Sequence, residues 1–173
     1  MYYNPQDTRY DFDTEVTIED IKTFFWRDHN KGAYFSMFET GVGRVKTGEG
    51  VRFDLIRIDP RKKYVRIFEF KSSRADFLRD KKWEKYLAYC NTLTFVCGRD
   101  RIKKDDLPSG IGLMWVWKRK RKDQEALKGL EPLWEYEYEW VKKVRKHDLD
   151  REVLLDLAMM LMFRTIWRKD DVF

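Results

Sequence analysis

Arg52-Phe-Asp-Leu-Ile-Arg-Ile-Asp-Pro-Arg-Lys-Lys-Tyr-Val-Arg-Ile-Phe-Glu-Phe-Lys71 reads as a β-hairpin, and the rest of the chain is organised around it. β-Branched and aromatic residues fill both arms, and Asp59-Pro60 followed by a basic cluster is a turn signal. A four-residue loop from Pro60 to Lys63 puts proline in its favoured second turn position, so Asp59 faces Tyr64 and Asp54 faces Glu69. Strand side chains alternate. One face therefore carries Asp54, Ile56, Ile58, Val65, Ile67, Glu69 and Lys71, and its four aliphatic residues mark it as the core face.

The three charges on that face lie at its far end from the turn. Burying a charge is costly unless it is paired or metal-bound, and opposed like charges on paired strands, with Cβ atoms about 5 Å apart, repel. A shared divalent cation removes the repulsion. Mg²⁺ suits the position because it takes hard oxygen ligands, one or two carboxylates together with water and phosphate oxygens. Lys71, about 7 Å beyond Glu69 by strand rise, can orient an attacking water or offset charge developing on a phosphate. A Glu-x-Lys triplet by itself is equally an ion pair on a basic strand. The acid placed opposite it on an apolar face sets this one apart. The same register opposes Arg57 to Arg66 on the other face, an unfavourable pair that a solvated hairpin end would relieve.

Asp54, fourteen intervening residues and Glu69-Phe70-Lys71 resemble the signature of the PD-(D/E)XK nuclease superfamily. Glu69-Phe-Lys-Ser-Ser-Arg-Ala-Asp-Phe77, Asp80-Lys-Lys-Trp-Glu-Lys-Tyr86 and Tyr89-Cys-Asn91 are similar to the MmcB-like DNA-repair proteins of that superfamily. The likeness spans Phe53 to Cys97, with a fainter echo in Gly110-Ile-Gly-Leu113 and the C-terminal apolar helix. Phe53 stands where a small residue is expected before the acid, and Lys118 to Leu130 reads as an insertion. The resemblance implies a restriction-endonuclease-like α/β sandwich with a central mixed sheet flanked by helices. It implies a Mg²⁺-dependent DNA endonuclease of DNA repair, Mn²⁺ being a possible substitute, with Asp54, Glu69 and the Phe70 carbonyl holding the metal and Lys71 assisting. It also implies one more acidic ligand upstream, for which Glu15, Glu19 and Glu39 are unranked candidates. The alternative is a non-catalytic nucleic-acid-binding module on a nuclease-like scaffold.

At 173 residues the chain is expected to form one domain, and 38% charged with 16% aromatic residues excludes a low-complexity or disordered composition. A net charge of +6 favours a polyanionic partner such as DNA. The longest apolar run near the C-terminus, Leu157 to Phe163, is too short to span a membrane, and Met1 to Asp13 lacks a signal-peptide core, so a cytoplasmic protein is expected. Cys90 and Cys97 lack CxxC spacing and read as reduced, packed thiols. His29 and His147 have no partner at metal-ligand spacing and lie in polar, solvated contexts. No motif calls for a small-molecule cofactor, and oligomeric state is left open.

Residues 1–13 read as an irregular arm. Thr17-x-x-Asp20 is a capping box opening a helix to about His29, with Ile18, Ile21 and Phe25 on its buried face. Ala33 to Thr40 reads as a strand, and Gly41 to Gly50 as a loop bringing Arg44 and Lys46 near a DNA backbone. Ser73 with Asp76 caps a single helix to about Cys90, whose apolar stripe is Trp83, Tyr86, Leu87 and Cys90. Arg74, Arg79, Lys81, Lys82 and Lys85 crowd the remainder. Of these, Arg74, Lys81 and Lys82 are the candidate phosphate contacts, because the helix follows directly from Lys71. Thr92 to Cys97 is a strand whose helical connection implies parallel pairing, and Gly110 to Trp117 is another. Lys118 to Leu130 reads as a basic loop whose densest run, Lys118-Arg-Lys-Arg-Lys122, is able to grip nucleic acid with Trp115 and Trp117 just before it. Trp134 to Trp140 alternates as a strand exposing its glutamates. Asp150 caps a last helix to Trp167, stapled by Leu149 and Leu154, with Leu154, Leu157, Met160 and Leu161 inward; its flanking methionines suit deep burial or a dimer contact, and burial is expected.

Overall fold

The computed structural model describes residue 4 and residues 6–27, 34–42, 50–121 and 134–167. The hairpin forms as the residue pattern dictates. Strands β3 (Val51–Asp59) and β4 (Tyr64–Lys71) pair antiparallel from Asp59–Tyr64 to Leu55–Phe68, in the expected register. Their turn is closed by the Asp59 carboxylate, which accepts from the backbone N–H groups of Arg61 and Lys62, each at 3.1 Å, while Lys63 takes the left-handed conformation at φ 51°.

Around the hairpin lies a seven-stranded mixed sheet in the order β1-β6-β5-β4-β3-β2, with β7 joined to β6. Its other strands are β1 (Tyr10–Asp13), β2 (Phe35–Val42), β5 (Thr92–Gly98), β6 (Gly112–Arg121) and β7 (Glu135–Lys142). β5 runs parallel to β4 and β6, as a strand reached through a helical crossover should. Asn91 pins the start of β5. It exchanges two bonds with Val65, backbone N–H to carbonyl and side-chain oxygen from backbone N–H, each 2.8 Å, and its amide donates to the His147 carbonyl at 3.0 Å.

Helices cover both faces. Helix α1 (Ile18–Arg27) packs Ile21, Phe24 and Phe25 on Leu55, Phe68, Phe70 and Val96. The opposite face buries Ile56, Ile58, Val65, Ile67 and Phe95 under α2 (Arg74–Arg79), α3 (Trp83–Tyr86) and α4 (Arg151–Trp167). The Thr17–Asp20 capping box forms, with the Thr17 hydroxyl accepting from the Asp20 N–H at 3.1 Å and the Asp20 carboxylate accepting from the Thr17 N–H at 2.8 Å. Among the described residues no helix is long and apolar enough to cross a membrane.

Several expectations need correction. The arm at residues 1–13 is not wholly irregular, because Tyr10–Asp13 pairs with Lys118–Arg121 of β6. By the same pairing the start of the supposed basic loop is strand, while 122–130 lies outside the described residues, as do His29, Ala33, Arg44 and Lys46. The helix expected to run to Cys90 is broken after Arg79 and ends in a 3-10 turn at Leu87–Tyr89. On β7 Tyr138 and Trp140 are exposed, whereas Glu137 and Glu139 are half-buried on Arg119 and Arg99. Met159 and Met162 of α4 face outward, its buried side being Val153, Leu157 and Leu161. His147 is half-buried rather than solvated. Arg57 is buried too, donating to the Ser36 hydroxyl at 3.0 Å and stacked among the rings of Phe25, Tyr34 and Phe68, which is how the Arg57–Arg66 pair is accommodated.

Candidate functional site

The β3–β4 pairing stops one step short of Asp54 and Glu69. Opposite Asp54 in β2 stands Glu39, between the pairs Phe38–Leu55 and Thr40–Phe53, with its backbone left-handed at φ 47°. The strands turn over at this point. Val51 and Phe53 pack with Ile56 and Ile58, although unbroken alternation would send them to the face that takes Leu55. The link across to β4 is now made by a side chain, with Asp54 Oδ2 accepting from the Phe70 N–H at 2.7 Å.

On β4 alternation is intact, so Phe68 and Phe70 pack toward α1 while Glu69 and Lys71 point to the α2–α4 side. Glu69 is 6% exposed and Lys71 4%. The Lys71 ammonium donates to Glu69 Oε1 at 3.2 Å and lies 5.7 Å from the Phe95 ring centre. Glu69 Oε2 is buried without a hydrogen-bond partner among the described residues. Burial, and then the charge of Asp54, push the Glu69 carboxyl up to about 8. Burial likewise raises Asp54, although the Phe70 N–H and the Lys71 charge pull the other way. Lys71 stays protonated: burial disfavours its charge, but bonds to carboxylates outweigh burial and raise it.

The nearer of those carboxylates is Asp80, which sequence reasoning passed over. Asp80 Oδ2 accepts from Lys71 Nζ at 2.6 Å, the lysine buried and the Asp80 side chain 11% exposed. Asp80 sits at the C-cap of α2, its N–H donating to the Asp76 and Phe77 carbonyls, and its Oδ1 accepts from the Lys82 N–H at 2.8 Å. An aspartate that binds backbone two residues ahead makes a turn. The helix therefore breaks where the carboxylate must reach Lys71. Asp80-Lys-Lys could have signalled this, since an Asx turn competes with helix interior.

The other nominated residues divide. Glu15 is exposed and paired with Arg101 at 3.0 Å, and Glu19 is exposed and paired with Lys22 at 2.8 Å. Glu39 binds Lys22 at 2.6 Å and also Arg52, and its charge is among those felt by Asp54. Arg74 is held by Asp106 at 2.6 Å, while Lys81 and Lys82 are exposed beside the site. In the basic strand segment Lys118 pairs with Asp13 and Asp20, and Arg119 with Glu135 and Glu137. Cys90 and Cys97 are buried free thiols, each pushed up to about 12 by burial.

Asp54, Glu69 and the Phe70 carbonyl suit a small hard cation that keeps several waters. Glu69 Oε2 is the atom in their favour, a buried acceptor beside a second carboxylate. Lys71 supplies the positive charge at this spot in the structure. Among the described residues no group of three His, Cys, Asp or Glu side chains forms a metal cluster, so protein ligands alone would leave a shell to be completed by water and substrate.

A solved structure with a similar fold is the SPO1766 protein of unknown function from Silicibacter pomeroyi, with a TM-score of 0.56 and 23% identity over 79% of this chain and 77% of that one. No curated protein matches the sequence. Residues 27–127, with Asp54, Glu69, Lys71 and Asp80 among them, match the MmcB-like DNA repair proteins, and the chain belongs to that family.

Proposed function

We propose that this protein is a Mg²⁺-dependent deoxyribonuclease of DNA repair on a restriction-endonuclease-like, PD-(D/E)XK fold. The observation that carries the reading is the Glu69–Asp54 carboxylate pair, Glu69 buried and Asp54 half-buried, both raised by burial and Glu69 further by the charge of Asp54, with one Glu69 oxygen unpartnered among the described residues and a lysine two residues along. Asp54, Glu69 and the Phe70 carbonyl would hold the cation. A divalent cation held there supplies Lewis-acid stabilisation to the phosphodiester and acidifies a water molecule. Lys71 offsets the negative charge that develops on the phosphate oxygens as the water attacks and the P–O bond breaks. Asp80 keeps that ammonium charged and aimed, and the apolar wall of Phe53, Phe95 and Tyr86 limits bulk water. Mn²⁺ fits the same donors.

The test is incubation of pure protein with labelled single-stranded, duplex and branched DNA in Mg²⁺, Mn²⁺ or EDTA. Cleavage should require the ion and be lost in Asp54→Ala, Glu69→Ala and Lys71→Ala while DNA binding persists. Wild-type cleavage in excess EDTA refutes the reading. Binding with no cleavage under any divalent ion would instead make the protein a non-catalytic nucleic-acid-binding module.

A further inference from the structure

A cleft of about 570 Å³ opens between the adjoining ends of β2 and β3, the start of α3 and the last turns of α4. Arg52, Lys82, Lys85 and Arg164 line it together with Tyr86, and none of the described lining residues is a carboxylate. These cations come from three separate elements, so the fold, not a run of sequence, assembles them. Gathering like charges raises the energy of the folded state, and a polyanion that enters relieves the repulsion and releases its own counterions. Of these four, Arg52 also meets Glu39, which it shares with Lys22, whereas Lys118 and Arg119 are each met by two carboxylates.

The cleft is joined to the carboxylate pair. Tyr86 packs edge-on against Phe53, the residue before Asp54, with ring centres 5.3 Å apart. Its phenol is pushed up by burial and by the charges of Glu69, Asp80 and Asp54. Asp80 holds the Lys82 backbone with one oxygen and the Lys71 ammonium with the other. One carboxylate thus fixes a cation of the cleft and the lysine of the site.

We propose that this cleft is the channel in which the backbone of a DNA strand lies as it passes the Asp54–Glu69 site, with Lys82, Lys85 and Arg164 contacting its phosphates. Its position beside the site takes meaning from the nuclease reading, but strand binding in it does not depend on catalysis. The experiment is fluorescence anisotropy with a labelled single-stranded DNA oligomer in EDTA across a salt series. The variant Lys82→Ala/Lys85→Ala/Arg164→Ala is compared with Arg61→Ala/Lys62→Ala/Lys63→Asn, which removes the same charge from the exposed hairpin tip. The channel variant should bind at least about tenfold more weakly, with the slope of log affinity against log salt reduced by about 2, at roughly 0.7 for each phosphate that is no longer neutralised. The tip variant should stay within about twofold of wild type. Lys82→Arg/Lys85→Arg/Arg164→Lys should bind as wild type, and Glu69→Gln should bind without cutting. Equal weakening by both triple variants, no weakening by either, or no strand binding by wild type overturns the proposal. Binding lost only in the channel variant supports it even where wild type fails to cut in Mg²⁺, in which case the nuclease reading alone falls.

Discussion

Glu69→Gln should make the protein more stable while removing its response to metal. Glu69 is 6% exposed, and burial with the neighbouring Asp54 pushes its carboxyl from 4.5 to about 8. Between those values the folded chain holds a proton that the unfolded chain has lost, so stability falls as pH rises through the window and levels off above it. At about 1.4 kcal/mol for each unit of pH above 4.5, holding that proton costs the folded chain about 3 kcal/mol at pH 7. This is an upper bound on the gain, because the amide leaves Lys71 with Asp80 as its one carboxylate. For a chain of this size each kcal/mol moves Tm by roughly 2–4 °C, so the variant should melt several degrees higher at pH 7 and lose most of the decline between pH 5 and 8. Mg²⁺ at a hundredfold over its Kd should stabilise wild type by about 2.7 kcal/mol and leave the variant unmoved. Thermal melts at pH 5, 6, 7 and 8, each with Mg²⁺ or EDTA, read both effects. A variant that melts below wild type at pH 7, or one that Mg²⁺ stabilises equally, refutes the reasoning.

Asp80→Asn keeps the turn that the side chain makes with the Lys82 N–H but removes the charge that holds Lys71. Cleavage kcat should fall by about 10- to 100-fold with KM unchanged, and Asp80→Glu should recover part of it, as steady-state kinetics would show. Asn91→Ala strands the Val65 N–H and the His147 carbonyl, and urea unfolding should report a loss of about 2–4 kcal/mol at constant m-value. Cys90 and Cys97, buried with their thiols at about 12, should react with a thiol reagent at pH 8 only on unfolding; rapid labelling of the native protein would contradict their burial.

The hairpin was legible because three local signals agree: β-branched arms, a proline turn and aliphatic alternation that leaves one register with a buried face. That register brings Asp54 and Glu69 near each other, although the ladder ends at Leu55–Phe68, one step short of pairing them. The turning-over of β3 at Asp54 was not legible, since it depends on a left-handed Glu39 in another strand. Asp80 was missed because the periodicity of Trp83, Tyr86 and Cys90 suits one long helix, and only the demand of a buried ammonium for a second acid breaks it. Charge runs misled for a related reason. Lys118–Arg121 looks like a nucleic-acid grip in one dimension, but β1 and β7 bring acids to meet it, while the cations that converge in the cleft are scattered from Arg52 to Arg164.

If Asp54 and Glu69 share a divalent cation, anomalous diffraction from crystals soaked in Mn²⁺ will locate it. A single peak bridging the two carboxylates and the Phe70 carbonyl, absent in Glu69→Gln, is the expected result. No peak there, or one unchanged in Glu69→Gln, would contradict the account.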